Sequence, residues 1–223
     1  MPSDLIDSDL LASEEVDVGS YLYKADSNPE AVFSHAQEEM AQLNDFCLLC
    51  LEGTAAKLND FRRELSSYRM GERQAEHPEI GDITEEVAMG LEDVIIPSWE
   101  ETEEFLVRAM CLILLSAFLE KSLKQIANYL TPEVAPKFKA QPGLGEIGSL
   151  LAYLQVTCLL QFEEPEESKS TRERCRKLRN AFAHGHWDQV KVDVATQSVR
   201  QAFSAVSGLL DCIEKARLEQ TSP

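Results

Sequence analysis

Arg179, Asn180 and His184, inside TRERCRKLRNAFAHGHWDQV (171–190), are the residues whose types and spacing could do chemistry. A guanidinium can hold a phosphate through two parallel hydrogen bonds, and an imidazole can move a proton near neutral pH. Together they point to chemistry on a phosphodiester, or to binding one. The trio ends a basic run of Lys169, Arg172, Arg174, Arg176, Lys177 and Arg179, opposed within it only by Glu173.

An α-helix must position them. Ser170 and Glu173 have the spacing of a capping box, and Cys175, Leu178 and Phe182 recur at three and four residues as a stripe to be buried. Gly185 stands where a helix ends in a left-handed residue. At about 100° per residue, Asn180 and His184 fall one turn apart on one face, with Arg179 on the flank and long enough to reach back. The Arg-x4-His spacing is common by itself. The plainer alternative is a solvated arginine and a histidine at a helix end.

The string LRNAFAHG (178–185), preceded by a basic helix and followed by the amphipathic VRQAFSAVSGLLDCIEKA (199–216), resembles the HEPN superfamily. These all-α domains carry an Arg, often followed by Asn, and then a His four to six residues on. Upstream, in LILLSAFLEKSLKQIANYL (112–130), Glu120 and Lys124 are similar to the Glu-x3-Lys element of some ribonuclease members. Their order favours an ion pair along one helix face. The alternative for them is an ordinary surface pair, worth roughly 0.3–0.5 kcal/mol. The resemblance covers about residues 98–216. It implies an antiparallel helical bundle of HEPN type, with the Glu120/Lys124 helix beside the Arg179/His184 helix at a common groove.

The resemblance further implies a metal-independent endoribonuclease, with no metal site and no cofactor, acting in toxin–antitoxin or phage-defence roles. In that scheme Arg179 stabilises the phosphoryl charge, His184 moves a proton and Asn180 orients the imidazole or touches the phosphate. Lys124 adds positive charge and Glu120 holds it. Arg172, Arg174, Arg176 and Lys177 are the expected RNA-binding residues. The implied partners are an RNA substrate, a second copy of the chain in a homodimer, and an antitoxin or other regulatory protein. In members silenced by nucleotidylation a Tyr stands two residues after the His; His186 occupies that place here, so that regulation does not carry over. A second reading is a non-catalytic all-α regulatory or protein-interaction module. It rests on PGLGEIGSLLAYLQ (142–155), which is similar to a segment of mannitol-operon regulators. A third is nucleotide binding without cleavage at the same groove.

Composition limits these readings. The 223 residues can bury a substantial core, and 44% apolar content marks a globular chain. A formal net charge of −18 argues against broad, sequence-independent nucleic-acid binding, so duplex DNA is an unsuitable target and a small or single-stranded RNA at a local basic groove is preferred. The competing idea is that the basic helix pairs with the protein's own acidic segments. The six cysteines lie mostly in apolar helical stretches, and Cys47-Leu48-Leu49-Cys50 lacks the second pair that a zinc site needs. With no secretory segment, the expected location is a reducing cytoplasm. The apolar run Phe105–Leu119 is too short for a bilayer and contains Arg108, so no membrane association is expected.

Along the chain, residues 1–27 read as an acidic, flexible or loosely docked arm, and 28–223 as one helical domain. Ser27 and Glu30 suggest a cap for a helix running to about Tyr68, with Gly53 marking a kink or a close crossing. Residues 71–97 carry breakers and at most a short helix near Thr84–Leu91. Ser98 and Glu101 then open a helix to about Tyr129. A connector over 131–145 leads to a helix from about Glu146 to Leu160. HWDQVKVD (186–193) reads as an irregular link, with Asp193 capping the last helix, to about Arg217.

Overall fold

The computed structural model describes residues 21–133, 138–141, 143–195 and 198–221, so the arm expected over 1–27 lies outside them except for 21–27. The described residues are mostly helical. In chain order the elements are α1 (Ala31–Arg69), a two-stranded antiparallel ribbon of β1 (Glu76–His77) and β2 (Gly81–Asp82), α2 (Thr84–Gly90), α3 (Ile96–Glu101), α4 (Arg108–Leu130), α5 (Gly145–Val156), α6 (Glu166–Ala183), α7 (Trp187–Ala195) and α8 (Val199–Thr221). In the ribbon Glu76 pairs with Asp82 and His77 with Gly81. Among the described residues no helix is long and apolar enough to cross a membrane.

The chain divides into two compact units, one from Phe46 to Met110, the other from the residues up to Asp45 and those from Cys111 onward. The Phe46–Met110 unit holds the second part of α1 and the run from Thr84. Tyr68, Ala88 and Leu91 form its small core, with Phe61, Leu65 and Val87 against it, and Phe61 meets Trp99 with ring centroids 5.6 Å apart. Arg69 donates to Glu85 and to Glu92, each at 2.7 Å.

The second unit holds the candidate site. Its core joins Phe33 and Met40 of α1, Leu112, Leu115, Leu123 and Ile126 of α4, Leu150 and Leu154 of α5, Cys175 and Leu178 of α6, and Phe203, Leu209, Leu210 and Ile213 of α8. Together with the buried Ala36, Leu119 and Val206, these residues recur at steps of three and four, the spacing that turns one face to a common interior. Burying each large side chain is worth about 1.5–3 kcal/mol. The Ser168 hydroxyl donates to the Ala205 carbonyl at 2.6 Å, pinning α6 to α8.

Residues 21–30 are tied to this unit. The Tyr23 hydroxyl, 3% exposed, donates to Glu214 Oε2 at 2.6 Å, and the Asp26 N–H donates to the same carboxylate at 3.2 Å. Arg217 holds Glu30 at 3.1 Å. Burial, and then the Glu214 carboxylate, push the Tyr23 hydroxyl above its ordinary value of 10.0. The folded chain therefore holds that proton more tightly than the unfolded chain. The resulting stability is fully present below about pH 10 and is lost as pH rises beyond it. Alkaline unfolding followed by circular dichroism should show this loss, and Tyr23→Phe should make the alkaline limb shallower.

Several local expectations are corrected. Ser27 does not cap α1: its hydroxyl donates to Asp26 Oδ1 at 3.1 Å, and the helix begins at Ala31, beyond Pro29. Gly53 marks no close crossing, since a Cβ there would meet nothing within 4 Å. The chain does not restart at Ser98. It is helical from Thr84 to Leu130 through two wider π turns, Leu91–Ile95 and Thr102–Val107. The first of these ends two residues before Pro97, which has no N–H to donate and needs room for its ring.

The α5 helix stops at Val156 rather than Leu160, because Leu159 takes a left-handed φ of 57° that no glycine announces. The supposed link after His186 is the helix α7. Asp193 lies inside it, and the Ser198 hydroxyl accepts the Gln201 N–H at the start of α8 instead.

Candidate active site on the motif helix

The α6 helix starts four residues before the expected Ser170 cap. Pro165 stands at its N-cap with ψ of 140°, and Glu166 and Glu167 fill the first turn, where the helix dipole favours acids. Ser170 and Glu173 are interior residues. The end is as expected. Gly185, at φ 69°, lets the Gly185 N–H reach the Phe182 carbonyl at 3.2 Å and the His186 N–H reach that of Ala181 at 2.8 Å. These two bonds are the Schellman pair. They place His184 at the C-cap and let the His186 carbonyl accept the first N–H bonds of α7.

Three stripes run along α6. Ser168, Thr171, Cys175, Leu178 and Ala181 are buried. Phe182, expected in that stripe, is only half-buried and meets Trp187 edge-on instead. Burial pushes the Cys175 thiol up to about 12, so it stays a neutral, inert core group. A second stripe, Arg172, Arg176 and Arg179, lines a small cavity with Ser116 and Glu120 of α4 and Glu146 at the start of α5. A third, Lys177, Asn180 and His184, faces solvent.

The structure brings the two motifs together. Arg179 Nη1 lies 3.4 Å from Glu120 Oε2, while Lys124 Nζ donates to Glu120 Oε1 at 2.8 Å and also pairs with Glu146. Glu120, and then Glu146, raise the Lys124 ammonium above the usual lysine range, so it is a cation throughout the neutral range. The Arg179 bond is long and therefore weak, and that side chain is 48% exposed. It can be drawn to a phosphate at modest cost.

Arg179 and His184 are not brought together. Five residues apart, they lie roughly 140° apart around the helix, and no hydrogen bond, ion pair or ring contact among the described residues joins them. The His184 ring instead lies 6.0 Å from that of His186, tilted by 35°. Asn180 is exposed on the His184 side.

The expected RNA-binding residues separate. Arg172 is 12% exposed. It grips Glu164 with Nε and Nη2 at 3.0 and 3.1 Å, donates to Glu173, and presses so close to Gly148 that a Cβ there would sit 3.3 Å from its Nη1. It is a structural anchor in this arrangement. Arg176 pairs with Glu173 at 3.0 Å. Arg174 lies in a separate surface depression with Glu166, Glu167 and Gln201. Lys177 projects into solvent without a charged partner among the described residues.

Sequence reasoning did not find Glu146 and Glu164 as partners of the basic residues, nor the Phe182–Trp187 contact. The acidic run QFEEPEES before the helix was the one available signal for Glu164. Among the described residues no group of three or more His, Cys, Asp or Glu side chains is placed to hold a metal ion. Compared with known proteins, the chain matches no family model, no curated protein and no solved structure.

Proposed function

We propose that this chain is a HEPN-type endoribonuclease that cleaves RNA without a metal ion, with a role in toxin–antitoxin or phage-defence systems. The observation that carries the reading is the contact between Arg179 and Glu120. It joins Arg179 of one motif to Glu120 of the other, with Lys124 on the same carboxylate, while Asn180 and His184 are exposed on another side of the helix.

The attacking group is the RNA's own 2′-hydroxyl. Its oxygen bonds to the adjacent phosphorus as the bond to the 5′ oxygen breaks. One imidazole takes the hydroxyl proton, and another returns a proton to the departing 5′ oxygen. The products are a 2′,3′-cyclic phosphate and a 5′-hydroxyl end. Arg179 neutralises charge gathering on the phosphoryl oxygens, and Lys124 adds to the local positive field.

Two features favour a site shared by two chains. One His184 cannot be both base and acid in a single turnover. Within one chain, moreover, Arg179 and His184 point about 140° apart, so the His184 that works with a given Arg179 comes from a second copy related by a two-fold axis. The test is incubation of purified protein with cellular RNAs in EDTA. Cleavage with cyclic-phosphate ends and sedimentation as a dimer are the expected results; cutting only with added magnesium would sink the reading.

A specific observation favours a second reading, a non-catalytic regulatory or protein-interaction module. Arg172, Arg176, Arg179 and Lys124 all pair with the chain's own carboxylates, which reduces the basic surface available to RNA. Under that reading, removing His184 changes nothing measurable on RNA.

A further inference from the structure

Trp187 opens α7 three residues after His184, and the function above does not use it. The helix end at Gly185 positions it, because the chain reverses through His184, Gly185 and His186 in a turn closed by two backbone hydrogen bonds. Its ring meets that of Phe182 nearly edge-on, with centroids 5.3 Å apart and planes at 74°. Phe182 belongs to the motif itself, between Arg179 and His184. Such an edge-to-face contact holds a ring in place, yet Trp187 remains 51% exposed. It is a large aromatic surface, pre-oriented and facing water.

Its surroundings are informative. His184, Gly185, His186, Asp188 and Gln189 are all exposed. A protein-docking patch is a contiguous apolar area, whereas this is one aromatic ring among polar groups and imidazoles. Electrostatics point the same way. With a formal net charge of −18, and Arg172 and Arg176 held by Glu164 and Glu173, phosphate attraction is confined to a few cations such as Arg179, Lys124 and Lys177. An uncharged interaction would add affinity that these few contacts do not supply. Base–aromatic stacking is such an interaction, and it tolerates any sequence because every base has a π face. A base inside a duplex is already stacked on both sides, so an exposed ring selects unpaired ones.

We propose that Trp187 is the platform on which an unpaired base of single-stranded RNA stacks, next to the phosphate that His184 and Arg179 act on. The inference rests on the ribonuclease reading and names its substrate class. Phe182 sets the platform's orientation, and the two-fold dimer carries one platform per chain.

Two measurements on the full chain test it. In Trp99→Phe protein, Trp187 is the remaining one of the two tryptophans. Titration with a 2′-O-methyl oligoadenylate, which lacks the attacking hydroxyl, should quench its emission, while the same strand in a duplex should not. In the cleavage assay, Trp187→Ala should raise KM about tenfold with kcat little changed, as loss of one stacked base requires. Trp187→Phe should recover most of that loss, with circular dichroism confirming that both variants fold. Oligonucleotide binding by anisotropy without quenching overturns the stacking proposal, as does an unchanged KM in Trp187→Ala; either leaves the ribonuclease reading standing. Wild-type protein that neither cleaves RNA nor binds the oligonucleotide overturns both. If Trp187→Ala converts a dimer to a monomer in sedimentation, the ring is an interface residue and the proposal fails.

Discussion

His184→Ala and Arg179→Ala should each lower RNA cleavage by about 10²–10⁴-fold while thermal unfolding stays close to wild type. The size follows from the steps assigned to them, since losing a positioned proton-transfer group or a stabiliser of developing charge costs on this scale. Retained stability follows from exposure. His184 lies at the helix end in solvent, and Arg179 is about half exposed with one long bond to Glu120. Exposed pairs of that kind are worth ~0–1 kcal/mol.

Asn180→Ala, Glu120→Ala and Lys124→Ala should be milder, because these residues orient or support. His186→Ala is the internal comparison, with a histidine in the same turn but outside the motif. Cleavage by His184→Ala at the wild-type rate, with the same ends, would remove the enzyme reading and leave the interaction-module reading in its place.

Leu178→Ala should do the opposite, lowering stability by about 2–5 kcal/mol while the folded fraction still cleaves. Leu178 is 1% exposed, adjacent to Arg179 in sequence and on the buried face of the same helix with Cys175 and Ala181. Truncating it leaves a cavity in the interior that also holds Phe203 and Leu209 of α8. For a chain of this size the melting temperature should fall by roughly 5–20 °C. Paired with His184→Ala, this variant separates the two faces of one helix, one that holds the fold and one that meets the substrate. A melting temperature unchanged by Leu178→Ala would mean that α6 is not packed as described.

The all-α character, the end of α6 at Gly185, the burial of Cys175 and Leu178, and the Glu120–Lys124 pair were legible in the sequence. Each is local. A glycine past the last apolar position, residues three and four apart, and a Glu four before a Lys are settled within one or two turns, so neighbouring residues suffice to predict them. Ser27, Ser98 and Ser170 misled for a related reason. A Ser with Glu three residues later also occurs inside helices or just before them, and Pro29, the π turn before Pro97 and Pro165 set the backbone there.

What the sequence determined by itself is an acidic helical chain with one basic helix, ending in Asn180 and His184 on one face with Arg179 on its flank. What only the tertiary structure decided is where those charges are spent. Glu164 sits eight residues before Arg172, Glu120 fifty-nine before Arg179, and Glu146 lies across from Lys124 on another helix. Whether a cation meets a carboxylate at about 3 Å or faces water depends on which helices pack together. That packing is governed by the pooled burial of apolar side chains from α1, α4, α5, α6 and α8, a non-directional force that no short window of sequence records.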